Sequence, residues 1–73
     1  SSISANIAEG FGRRSTNDKL HFYTIAYGSL LEVKSFLYLA QKLEYLNDTS
    51  SILQSTSNLQ KLLNAFMTST RKM

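Results

Sequence analysis

With 73 residues the chain holds one domain at most, and a domain of this size buries only about 60% of the surface its unfolded chain exposes. It has no cysteine, no proline and three glycines, which excludes a disulfide framework or thiolate metal site and favours long helices over a turn-rich β fold. Eight Lys and Arg against five Asp and Glu leave a net charge of +3, a mild basic balance that suits nucleic acid and equally suits plain solubility.

Ile3, Ile7 and Phe11 recur every four residues with Ala5 and Ala8 between them, which predicts a helix over about 1–11 with one apolar stripe. Gly10 and Gly12 stop it. Because the periodicity begins within three residues of the first atom, an earlier part of the same helix is expected upstream. Ser15-Thr16-Asn17-Asp18 then offers a hydroxyl N-cap with an acid three positions on, so a long helix is predicted over about 16–46. Phe22, Ile25, Ala26, Ser29, Val33, Phe36, Leu37, Ala40 and Leu43 form one broad face. Leu20, Tyr23, Tyr27, Leu30, Leu31 and Tyr38 widen it, leaving a polar strip of His21, Thr24, Gly28, Glu32, Ser35 and Lys42. A helix this apolar must be covered on at least two sides.

Asn47-Asp48-Thr49-Ser50-Ser51 is a cluster of turn and cap formers, so the chain reverses there and a third helix is predicted over about 51–71. Ile52, Leu53, Thr56, Leu59, Leu62, Leu63, Phe66 and Met67 make its apolar face. Short connections favour antiparallel neighbours, which gives an all-α fold made of a helical hairpin and the end of an earlier helix. No apolar run approaches the ~20 residues of a membrane span, and the start carries no secretion signal, so a cytoplasmic protein without a membrane partner is expected.

Catalysis is not expected. One histidine, no cysteine and five scattered carboxylates offer no convergent set. His21 and Glu32 are eleven residues apart, roughly 16 Å along a helix, so they cannot share a metal. Gly10-Phe11-Gly12 lacks the glycine and lysine of a phosphate loop and has no strand before it. No catalytic residue, metal site or cofactor is nominated.

The interaction signal is Arg13, Arg14 and Lys19, at the turn into the long helix. Cations near a helix start oppose its dipole, so they serve either ion pairs with Glu9 and Asp18 or contacts to phosphate. No aromatic residues alternate with them as in single-strand binders. Arg71-Lys72 suits the C-terminal dipole of the third helix for structural reasons alone. Gly28 costs about 1 kcal/mol in mid-helix against alanine, which predicts close approach of another helix at Gly28-Ser29. Glu32, one turn on, then either pairs with Arg13 or Arg14 or stays solvated. Tyr23, Tyr27, Tyr38 and Tyr45 run along one flank of the long helix and suit a subunit interface.

The stretches Ser2-Ile3-Ser4-Ala5-Asn6-Ile7-Ala8-Glu9-Gly10, Gly12-Arg13-Arg14-Ser15, Ala26-Tyr27-Gly28-Ser29-Leu30-Leu31-Glu32 and Ala40 through Tyr45-Leu46 resemble the four helix bundle protein family. These are the proteins encoded by intervening sequences in bacterial 23S ribosomal RNA genes, and the accessory variability determinant of diversity-generating retroelements is similar to them. The resemblance implies an antiparallel up-down four-helix bundle, here the end of the second helix with the third and fourth, lacking the first. It also implies homopentameric rings with a positively charged surface and, for the retroelement accessory protein, binding to nucleic acid and to a reverse transcriptase. Asn6, Glu9, Gly10, Gly28, Ser29 and Glu32 fall on the motif as structural residues, and Arg13 and Arg14 on its basic turn. Ser4 stands where the family usually has proline, which removes a helix-entry signal. The function this implies is a non-catalytic oligomeric accessory protein binding nucleic acid, RNA before DNA. The alternative is an adaptor docking a larger enzyme through the long helix.

Overall fold

The computed structural model describes residues 2–43 and 49–73. Three helices and no strand occur among them: α1 (Ile3–Gly12), α2 (Thr16–Lys42) and α3 (Ser50–Arg71). Expectations that fall on Glu44, Tyr45, Leu46, Asn47 and Asp48, including the end of the long helix and the turn that follows it, lie outside the described residues.

Each helix begins on a hydroxyl residue. Ser2 accepts a hydrogen bond from the Ala5 amide, satisfying one of the donors a helix start leaves unpaired. Asn6 adds to this start, donating from Nδ2 to the Ser2 carbonyl at 2.9 Å. Ser15 accepts from the Asp18 amide at 3.0 Å, the first half of the capping box. Thr49 flanks α3 but caps it without its side chain.

α1 and α3 each pack against α2, and their backbones do not approach one another. The register is antiparallel on both sides. Tyr23 meets Phe66 with ring centroids 6.0 Å apart. Further along α2, Tyr27 and Lys34 meet Gln60. That glutamine donates to the Tyr27 hydroxyl at 2.8 Å and accepts from Lys34 Nζ at 3.0 Å, tying the two helices by side chains. The molecule is 44 Å long, close to the ~40 Å of the 27-residue α2 itself.

The core is small. Tyr23, Ala26, Leu63 and Met67 form it, with Ile3, Ile7, Leu20, Tyr27 and Phe66 packed around them. On α3 the inward positions are Leu53, Thr56, Gln60, Leu63, Met67 and Thr70, stepping by three and four residues as a seam against one neighbour does. Ile52 and Leu62, expected in the apolar face, therefore point outward and are about half exposed. The seam is that of a helix packed on one neighbour, since the backbone of α3 approaches α2 and not α1.

Phe11 also departs from expectation. Steps of four residues overshoot a 3.6-residue turn by about 40° each, so the stripe rotates along α1. Ile3, Ile7 and Gly10 face α2, and Phe11 swings out to 72% exposure.

Gly28 is exposed, and a Cβ built there meets nothing within 4 Å. The expected close approach is absent from this chain's own packing. The glycine that requires its missing side chain is Gly10, where a Cβ lies 2.8 Å from Tyr23 Cε1 and 3.1 Å from Phe22 Cβ. With Gly28 open, Gly28→Ala is expected to raise stability by about 1 kcal/mol through helix propensity alone, read as a higher denaturation midpoint in urea. A lowered midpoint locates a packed neighbour at that face.

α2 keeps an uncovered stripe. Ile25, Val33, Phe36, Leu39 and Leu43 share one side of the helix and stay exposed, Phe36 by 66%. α1 covers only the first half of α2, ending beside Ser29, Glu32, Val33 and Phe36, which with Ile3 line an open depression of about 580 Å³. No described helix is long and apolar enough to cross a membrane.

Candidate nucleic-acid interface

Antiparallel packing puts the C-terminus of α1, the N-terminus of α2 and the C-terminus of α3 at one end of the molecule. The contacts fix this: Phe11, Lys19, Phe66, Ser69, Thr70 and Met73 surround a common notch. Arg13, Arg14 and Lys19 thus share an end with Arg71 and Lys72, which are adjacent to those α3 residues in sequence. Only Glu9 and Asp18 oppose them there among the described residues.

The five cations differ in how firmly they are held. Arg13 is anchored twice, by an ion pair to Glu9 at 3.1 Å and by its guanidinium 4.9 Å above the Phe22 ring. The pair is about half exposed on both sides, so it contributes roughly 0–1 kcal/mol and mainly orients the arginine. Lys19 Nζ donates to the Phe11 carbonyl at 2.9 Å and to the Gly10 carbonyl at 3.4 Å. These carbonyls belong to the last turn of α1, where helix geometry leaves acceptors unpaired and the dipole favours a cation. Lys19 therefore closes α1, and its exchangeable role is smaller than that of its neighbours. Arg14, Arg71 and Lys72 are exposed and make no side-chain ion pair among the described residues.

Glu32 lies at the opposite end of α1, beside Ile3. The ten residues of α1 span ~15 Å, so the pair with Arg13 or Arg14 does not form, and Arg13 takes Glu9 instead. Glu9 thus orients the basic turn, Asn6 braces the start of α1, and Gly10 admits Tyr23. Ser29 and Glu32 line the open depression on α2.

The contribution of α3 was invisible in the linear pattern, because Arg71-Lys72 joins the basic turn only through the register of the helical hairpin. Phe11 is the other residue missed. It reads as one of three core positions until α1 is seen to rotate it out, beside Lys19. Among the described residues no three His, Cys, Asp or Glu come together as metal ligands.

A family model described as 23S rRNA-intervening sequence protein matches residues 1–65. The chain belongs to that family. No curated protein and no solved structure matches it. In this intervening-sequence protein the matched region takes in the whole basic turn and all but the last stretch of α3. Arg71 and Lys72 lie beyond it, although folding returns them to the same surface.

Proposed function

We propose that this member of the 23S rRNA-intervening sequence protein family is a non-catalytic, oligomeric, cytoplasmic accessory protein that binds nucleic acid through its basic end, RNA being the first candidate ligand and DNA the second. The observation that carries the reading is the gathering of Arg13, Arg14, Lys19, Arg71 and Lys72 from three helices onto one end, with two carboxylates against them. Phosphate recognition needs that kind of array: several cations within one surface, each neutralising one backbone charge and releasing its counterion.

The three helices are read as part of an up-down four-helix bundle that assembles into a homo-oligomer, a pentamer by family resemblance. The open stripe from Ile25 to Leu43 supports additional helical cover, since contiguous exposed apolar surface of this kind marks an interface. The same stripe favours a second reading, an adaptor that docks an enzyme such as a reverse transcriptase along α2.

Retention of a structured RNA at rising salt tests the first reading. With about four phosphates contacted, log affinity is expected to fall against log salt with a slope near −3 to −4. Affinity indifferent to salt overturns it.

A further inference from the structure

Between the ends of α1 and α3 lies an open notch of about 270 Å³. The buried Tyr23 and half-buried Phe66 form its inner part, and Phe11 and Met73, 72% and 77% exposed, stand at its mouth. Ser69 and Thr70 contribute hydroxyls from α3, of which Thr70's is already donated to the Phe66 carbonyl at 2.7 Å. Lys19 Nζ stands 5.6 Å from the centroid of the Phe11 ring.

The Phe11 ring, 72% exposed, is open to a partner, and covering a phenylalanine fully is worth about 1.5–3 kcal/mol. What covers it must tolerate the surrounding charge. Lys19 lies against the ring, and Arg13 and Arg14 follow Phe11 within three residues, with Arg71 and Lys72 next to Thr70 on the opposite side. A flat, apolar-faced group attached to a polyanion satisfies both conditions.

We propose that the notch receives one unpaired base of an RNA strand, stacked on Phe11, while the phosphates on either side of that nucleotide lie against Arg13-Arg14 and Arg71-Lys72. Stacking on an exposed ring flanked by cations is how single strands are held without sequence readout. The inference rests on the RNA-binding reading above and adds to it a preference for single-stranded over duplex RNA. A base locked in a duplex cannot enter the notch, whereas the cations meet phosphates in either form.

The test compares a short uridine oligonucleotide with an RNA duplex of the same length, at matched low salt, on the whole chain and on Phe11→Ala and Phe11→Tyr. Phe11 lies outside the core, so neither change disturbs folding, and sedimentation of each variant checks that the assembly is unaltered. Phe11→Ala is expected to weaken single-strand binding by roughly ten- to a hundredfold, the range for loss of one base–aromatic stack, with duplex binding held within about twofold; Phe11→Tyr restores the single-strand affinity. Equal losses on both RNAs, no loss on either, or a changed sedimentation mass in Phe11→Ala overturns the base site. Failure of the unaltered chain to bind either RNA instead removes the RNA-binding reading and the base site with it.

Discussion

Gly10→Val is expected to cost about 3 kcal/mol, the upper end of what overpacking a closed site takes. The first added carbon already stands 2.8 Å from a ring carbon of Tyr23, and that ring cannot retreat. Tyr23 is 3% exposed and packed among Ala26, Leu63, Met67 and Phe66. The other near atom, Phe22 Cβ at 3.1 Å, is fixed to the α2 backbone, so α1 itself must lift. Gly10→Ala is milder, because about 1 kcal/mol gained in helix propensity offsets part of the clash. Gly12→Ala is the matched control: its Cβ meets nothing within 4 Å, and it is expected to leave the urea midpoint unchanged or slightly raised. For a domain whose core supplies some 3–5 kcal/mol, the valine variant is expected to lose α1 or unfold, read as loss of the cooperative transition.

The second large effect is electrostatic. Joint replacement of Arg13 and Arg14 by Glu is expected to reduce the slope of log affinity against log salt by about 2 and to weaken RNA binding on the order of a hundredfold. The fold survives this change, because Arg13's pair with Glu9 is exposed and Arg14 is unpaired among the described residues. Arg71→Glu with Lys72→Glu is expected to act the same way, although these positions are more than fifty residues distant in sequence. That equivalence is the sharpest check that three helix ends form one surface. Lys61→Glu, an exposed change along the body of α3, serves as the comparison and leaves the slope near its starting value. An adaptor working through the apolar stripe of α2 predicts the reverse: intact enzyme docking in both charge variants. Lys19 is a poor choice for this test, since losing its bonds to the Phe11 and Gly10 carbonyls loosens α1 as well.

Which parts of this were legible in the sequence follows from the range of the interactions involved. The start of α2 was readable because capping is local: Ser15 and Asp18 are three residues apart and meet within one turn. The helical character of all three segments was readable from apolar spacing for the same reason. What spacing leaves open is the angle at which a helix meets its neighbour. Ile52 and Leu62 fit an apolar face as well as Leu53 and Leu63 do, and only the seam with α2 decides between them. Position along a helix does not tell which of the three helical glycines is packed, whereas close contact with Tyr23 singles out Gly10 and leaves Gly12 and Gly28 open. The basic surface was half visible: Arg13 and Arg14 stand together in the sequence, and Arg71 and Lys72 arrive by tertiary register.

The apolar stripe of α2 runs along the molecule, and the cations are gathered at its tip. A cyclic assembly joined through such stripes, about an axis parallel to α2, turns every tip toward the same rim. Each copy then presents a modest charge, but a strand that reaches a second tip binds it at the effective concentration set by the first contact, and avidity rises without any new residue. If the chain assembles and binds as proposed, its net charge of only +3 makes tight retention of a polyanion a property of how many tips one strand can span.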